Sequence, residues 1–492
     1  MNRHSLVLAA DSAATVSRWE NGKKEERYFK GSNKIFQLSN SDPVGIMIYD
    51  SADLQRIPWE IIVKTFRSEL ASKSFRSVRE YGLQFLSFIE HHRGLFPAAY
   101  LDELLVENVD QIMIRFLNMI NDDDAVIAAG TDVAAATEAK KAALDNYLAI
   151  TRTFPLTPPL TQVDLTAAKA KHLSRLEAEA ETDLQLFSDS APLDKTALVD
   201  LGLEALFRRP GIFLSQTGIV IAGYGTDDFF PSYVEFSCLG FAGERLCATE
   251  KGDHAITQRD SGFFKAFATT AMADTFTMGF GPDVLNLVRS HLQDVLQDFT
   301  AKLGANSPNL ADLVEEAVKT HTDKWTADVF ERHGRPLRRV IGSLPTDELA
   351  ELAETLVMLE SLKEKVTSPS ESVGGPIDVA IITKHEGFVW AKRKLYFDPK
   401  LNSRFFLRQQ ADHQRSVETA NGPGRVKIRQ LGALRAFRGR RASNSMESTS
   451  CHLSGNQELR AGADWSRRGR PHACIASSNP PTPIIAITRF ML

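Results

Sequence analysis

Cysteine is scarce in this chain: four residues in 492, Cys238, Cys247, Cys451 and Cys474, with no CxxC spacing and no partnered histidines. That excludes a disulfide framework or a zinc site as the basis of the fold and points to a reduced, cytoplasmic protein. Long apolar runs are missing too, since none approaches the roughly 18–20 residues of a membrane helix. Asp11 cuts the opening run Leu6-Val7-Leu8-Ala9-Ala10 below the roughly 7–15 residues of a signal core, so it reads as a strand. No membrane partner is expected. A strong excess of one charge is absent as well: the net charge of −4 favours neither nucleic acid nor membrane for the chain as a whole. No period of 20–50 residues recurs, which excludes a solenoid.

What remains is an average globular composition, 43% hydrophobic and 24% charged, enough to bury a proper core. Residues 5–53 read as strands, with Asn21-Gly22 as a turn between Thr15-Val16 and Tyr28-Phe29. Pro58 suits the first turn of a helix, and Trp59, Ile62, Phe66 and Leu70 follow at helical spacing. Helical patterns then run near 76–92, 98–121, 132–151, 163–187 and 193–208, broken by Pro155, Pro158 and Pro159 and ended by Pro210.

Strand chemistry returns at Thr217 to Gly223, Ser232 to Leu239 and Glu244 to Ala248. Helices are predicted from Ser261-Gly262 over 262–278, after Pro282 over 283–303, and from a Thr346 cap, where Leu349, Leu352, Leu356 and Leu359 form an apolar seam. A last hairpin joins Ile377–Thr383 to Phe388–Lys392. Runs of strands and helices segregated in this way argue for an α+β fold.

From 411 to 492 twelve Arg and one Lys stand against five acids, a net +8, and hydrophobic periodicity is lost. The segment reads as a disordered tail, one that a shifted reading frame would explain, or as a basic arm. Binding of nucleic acid is not expected from composition alone.

Three segments carry chemistry. An apolar strand ends in Asp11-Ser12; a second opens at Asn33-Lys34-Ile35-Phe36; a third, Gly45-Ile46-Met47-Ile48-Tyr49-Asp50, runs into Ser51-Ala52-Asp53 before a helix. In this order they resemble the proteasome β subunit and the wider N-terminal-nucleophile hydrolase superfamily. The resemblance implies a four-layer αββα sandwich: a first half over 1–75, a large all-helical insertion over 76–210, a second half over 211–411 and a disordered tail over 412–492. It covers the front well and 211–400 loosely. It also puts Asp11 and Lys34 on the family's acid and lysine positions.

In that chemistry the free α-amino group, with a pKa of roughly 8, accepts the proton of its own residue's hydroxyl. A lysine lowers the nucleophile's pKa and a carboxylate holds the lysine. Ser261, in Ser261-Gly262, resembles the serine that supports the nucleophile's amino group, and Gly374-Gly375 resembles the pair before the family's last strands.

There are departures. Tyr49 and Asp50 stand where the family has two glycines, whose backbone N–H groups serve the oxyanion hole. Ser370-Glu371-Ser372-Val373 lacks the family's Asp, and Val373 takes its Ser place. The nucleophile would lie about five or six residues before Met1, a strand length away. The chain as written is therefore expected to lack its nucleophile and to be inactive.

The resemblance implies a threonine-type amidohydrolase acting on a peptide or amide substrate without a cofactor or metal. The alternative is a non-catalytic assembly or regulatory subunit binding a partner protein or further copies of itself. Asp122-Asp123-Asp124 reads as a solvated helix end rather than a calcium loop. His91-His92 lacks zinc-peptidase spacing, and Gly223-Tyr224-Gly225-Thr226-Asp227 reads as a tight turn.

Overall fold

The computed structural model describes residues 1–20, 23–187, 193–302, 310–367, 373–408 and 410–411. Strand β1 (Leu6–Ala10) is followed by a hairpin of β2 (Ala13–Glu20) and β3 (Lys23–Lys30), paired from Ala13↔Lys30 to Glu20↔Lys23. The Asn21-Gly22 turn and the segment 412–492 lie outside the described residues, as do Ser370, Glu371 and Ser372.

Two antiparallel sheets form the centre. The larger uses β4 (Ile35–Gln37) and β5 (Val44–Asp50), then β8 (Thr217–Gly223), β9 (Ser232–Ala242) and β10 (Arg245–Ala255), in the order β10-β9-β8-β5-β4. The smaller is β1-β11-β12, with β11 at Asp378–Thr383 and β12 at Gly387–Lys392.

Side chains alternate across the larger sheet as a period of two requires. Val44, Ile46, Ile48, Ile219, Ile221, Val234 and Phe236 join one apolar cluster. Met47, Val220, Ala222 and Tyr233 join a second cluster with Leu6, Leu8, Ala10, Ala380 and Ile382 of the smaller sheet. Both faces are covered, which is why these strands read as continuous apolar runs rather than alternating ones. The sheets approach closely at Gly45, where an added Cβ would lie 2.9 Å from Phe388, 3.0 Å from Ile382 and 3.2 Å from Leu8.

After a two-residue pairing of β6 (Asp53–Leu54) with β7 (Ile57–Pro58) come α1 (Trp59–Leu70) and α2 (Val78–His91). Trp59, Ile62, Val63, Phe66 and Leu70 make the buried stripe of α1. The Ser77 side chain caps α2 by accepting from Glu80 N–H. α1 lies against β4, and α2 against β8, β9 and β10. Thus α2, read from sequence as the start of the inserted helices, covers the sheet directly.

Helices α3 (Ala98–Asn121), α4 (Asp124–Ala129), α5 (Val133–Thr153), α6 (Gln162–Phe187) and α7 (Lys195–Arg208) pack mainly on one another, with α3, α5, α6 and α7 forming a bundle. The short α8 (Pro210–Phe213) leads into β8.

Beyond β10 lie α9 (Ala271–Met278), α10 (Pro282–Lys302), α11 (Leu310–Val329), α12 (Arg335–Ile341) and α13 (Thr346–Thr367). α13 rests on β1 and β11, on the face of the smaller sheet away from the larger one. Among the described residues no helix is long and apolar enough to cross a membrane.

One helix differs from its sequence reading. Residues 262–270 are not helical, and α9 starts only at Ala271. Gly262 instead bridges Asn2, and Phe263 N–H donates to the Met1 carbonyl at 2.9 Å. Phe263 and Phe267 then place their rings against Tyr233, at 5.6 and 6.0 Å between centroids. Burial of two aromatic rings and a backbone bridge outweigh local helix preference here.

Candidate functional site

Asp11 follows the last residue of β1, and Lys34 precedes the first residue of β4, so the two strand ends bring the side chains together. Lys34 Nζ donates to Asp11 Oδ1 at 2.6 Å. The carboxylate is tightly held: Asp11 Oδ2 accepts Ala13 N–H at 3.0 Å and Gly374 N–H at 2.8 Å. Only 10% of the Asp11 side chain is exposed, against 24% of Lys34. The ammonium, not the carboxylate, is the accessible partner. Gly375, at φ +84°, makes the turn that presents Gly374 to Asp11, in a conformation that favours glycine.

The pair borders a cavity of about 410 Å³. Leu6 to Asp11 form one wall, Met47 to Asp50 with Val220, Ala222 and Tyr233 the opposite one, and Leu349, Leu352 and Leu356 of α13 a third. Phe263 to Thr269 close an end. A mostly apolar cavity with a few charged groups at its rim is the usual form of a small-molecule or peptide site.

Of the two expected oxyanion donors, the strand geometry separates the roles. Ile48 N–H donates to Lys34 O at 2.8 Å, towards β4, whereas Ser51 N–H donates to Gln216 O, towards β8. Alternation along a strand therefore turns Tyr49 N–H into the β8 ladder and Asp50 N–H to the Lys34 side. Asp50 sits in the left-handed region at φ +67°, a conformation glycine adopts at no cost. Its carboxyl is exposed, yet partial burial raises its pKa above the ordinary carboxylate value, with the Lys34 ammonium opposing that rise.

The Tyr49 side chain lines the cavity. Its hydroxyl donates to Glu235 Oε1 at 2.5 Å. Burial, reinforced by Glu235, pushes its pKa far above the usual phenol value. Lys265 completes the cluster with an ion pair to Glu235, its ammonium 5.1 Å from the Phe267 ring centre. Glu235 and Lys265 were not foreseen from sequence. The available signal was a lone carboxylate in the otherwise apolar β9, a residue that stays charged only if partnered.

A buried acid from α13, Glu360, also lines the cavity and accepts Met272 N–H at 2.8 Å.

Ser261 is not brought to the Asp11–Lys34 pair. It is absent from the cavity wall, begins no helix, and its hydroxyl lies against Gly342 instead. Val373 does line the cavity. Asp123 caps α4 through Ala125 N–H at 3.0 Å. His92 pairs with Glu69, and Tyr224 N–H donates to Pro43 O in the predicted turn. Among the described residues no group of three His, Cys, Asp or Glu could hold a metal ion. Cys238 and Cys247 are free and buried, and burial pushes both thiols up to about 12.

Compared with protein-family models, curated proteins and solved structures, the chain matches none.

Proposed function

We propose that α13, the smaller sheet, the larger sheet and α1 with α2 are the four layers of an N-terminal-nucleophile αββα core, and that the Asp11–Lys34 pair is its catalytic support. The observation that carries this reading is the 2.6 Å contact between Lys34 Nζ and Asp11 Oδ1 at the rim of the inter-sheet cavity. Asp11, held by two backbone N–H groups, accepts from the ammonium and fixes Lys34. Lys34 in turn favours the ionised form of a hydroxyl placed beside it. The substrate class is an amide, and Asp50 N–H is the oxyanion donor on the Lys34 side.

Among the described residues no serine or cysteine lines the cavity, and its one threonine, Thr269, follows the Phe263–Ala268 segment rather than leading a strand beside Lys34. The test therefore supplies the nucleophile in the family's place. The chain is prepared with a free threonine followed by four or five apolar residues ahead of Met1, a strand length. Release of aminocoumarin from an acyl-peptide amide is followed. Turnover that disappears with Lys34→Met supports the proposal; no turnover in the threonine-led form counts against it.

A second reading, a non-catalytic relative serving as an interaction platform, rests on α10. No residue of that helix is buried, and Leu287, Val295 and Phe299 stand exposed on it. The Tyr49 and Asp50 side chains in the glycine places favour it as well. Under this reading the threonine-led form folds and stays silent towards both amides and acylating probes.

A further inference from the structure

The whole-chain charge of −4 averages away one strongly basic stretch. From 392 to 408 six cations stand against the single acid Asp398, a net +5. The stretch follows β12 and packs on itself. Asp398 Oδ1 accepts Lys400 N–H at 2.8 Å at the start of a short turn, Pro399–Leu401, and 403–408 are helical. Phe397 holds the stretch together, its ring centre 5.0 Å from those of both Tyr396 and Phe405, with Phe406 5.3 Å from Phe405. Around that small aromatic core apolar side chains stand in water: Tyr396 is 95% exposed, Leu401 83% and Leu407 63%, and Leu395 and Phe406 are exposed as well. An apolar patch left open in this way marks a contact surface.

Charge says what the patch touches. The carboxylates around it are already engaged: Glu354 pairs with Lys392 and Asp378 with Lys394, while Glu60, which faces Arg393 from α1, is held by Lys64 and Asn33. Arg393, Lys400, Arg404 and Arg408 make no ion pair among the described residues. Arg393 lays its guanidinium over the Trp390 ring, 4.7 Å from the centre, which leaves its N–H edge for an anion. Arg67 of α1 faces the same guanidinium and adds to the positive field. The partner is therefore anionic and has an apolar side.

We propose that 392–408 is a docking surface for an anionic lipid bilayer, on which the chain rests without spanning it. The exposed cations meet lipid phosphates and carboxylates, and Tyr396, Leu401, Phe406 and Leu407 enter the boundary between headgroups and acyl chains. Leucine decides against a nucleic acid. Bases stack on aromatic or guanidinium faces, and three of the five exposed apolar side chains are leucines, which offer none. The patch borders neither described cavity, and a bilayer, being flat, needs no groove. Lipid contact also stands apart from the catalytic reading, since it needs no nucleophile and no turnover.

The test uses the full chain carrying Leu401→Trp, read against the parent so that the five native tryptophans cancel. Vesicles are phosphatidylcholine alone, or phosphatidylcholine and phosphatidylserine in a three-to-one ratio, with and without brominated acyl chains. Only the phosphatidylserine vesicles are expected to shift the emission of the added indole to the blue and, when brominated, to quench it; raised salt reverses both. Lys400→Gln with Arg404→Gln weakens sedimentation with these vesicles by at least about tenfold, at roughly fivefold per cation. Leu401→Ser with Leu407→Ser leaves every charge in place and weakens it several-fold. All four side chains are exposed, so both variants keep the parental unfolding midpoint. The proposal is overturned if the added indole is neither shifted nor quenched, even where the protein sediments with vesicles, because that binding then lies elsewhere in the chain. An equal shift with phosphatidylcholine alone overturns it by removing the role of charge. A shift with oligothymidylate and none with vesicles assigns the patch to single-stranded nucleic acid and likewise overturns it.

Discussion

Tyr49 lays its ring directly over Gly218 on the neighbouring strand: a Cβ at position 218 would fall 1.8 Å from the Tyr49 Cζ. The glycine is thus the seat of the side chain that fills the cavity wall and reaches Glu235. Gly218→Ala must expel that ring, breaking the Tyr49–Glu235 bond, at a cost of about 1–3 kcal/mol typical of overpacking. Gly252→Ala, where nothing lies within 4 Å, is the control and stays near neutral. Urea unfolding of both variants measures the difference.

Asp11 is the buried partner of the ion pair, and the two halves are unequal. Asp11→Ala strands two buried backbone N–H groups as well as Lys34, each unsatisfied group costing about 1–3 kcal/mol. Lys34→Met leaves Asp11 with Ala13 and Gly374 still bonded to it. Asp11→Ala is therefore expected to lower stability distinctly more than Lys34→Met in the same denaturant series. Equal losses would mean that the backbone bonds to Asp11 contribute nothing.

At Asp50 the backbone conformation suits a residue the chain does not have. Asp50→Gly relieves the left-handed strain, worth about 1 kcal/mol, and removes a carboxylate from the cavity rim. Stability is expected to hold or rise, against the usual cost of adding a glycine. A clear drop in the unfolding midpoint would contradict the strain argument.

The bundle carries a pH-dependent element of its own. Asp183 on α6 is 5% exposed, has an unpartnered Oδ2, and shares a hydrogen bond with Asp110 of α3, with Glu179 one turn away. Burial, then the nearby Asp110 charge, raises its pKa from 3.8 to about 7. The folded state therefore binds the proton more tightly than the unfolded one. The stabilisation is complete below the unfolded value near 4 and is lost as pH rises through about 7. Asp183→Asn is expected to flatten this dependence and to be more stable than the parent at pH 8. Parallel pH–stability curves for the two proteins would refute the assignment.

Much of the strand order was legible because apolar runs such as Gly45–Ile48 and Ile219–Ala222 are long, uniform and ended by polar residues. The meeting of Asp11 with Lys34 was legible for the same reason: both sit at strand ends, where a side chain's neighbourhood is set by the sheet. What escaped was decided by tertiary contacts. Phe263 and Phe267 look like one face of a helix, yet their rings are spent on Tyr233 and the segment stays extended. Glu235 and Lys265 lie 30 residues apart, and neither predicts the other until β9 and the segment after β10 are folded against Tyr49. Ser261 resembled a helix cap by local sequence alone, and the bridge from Gly262 to Asn2 removed the helix it would have capped.

Covalent capture tests directly whether Lys34 activates a hydroxyl at the cavity rim. The threonine-led chain is treated with a β-lactone probe, and the acyl adduct is counted by intact mass, beside the same chain carrying Lys34→Met. The account predicts one adduct on the terminal threonine, lost in the Lys34→Met protein while both remain folded. Absence of the adduct from the parent, or equal labelling of the two, would contradict it.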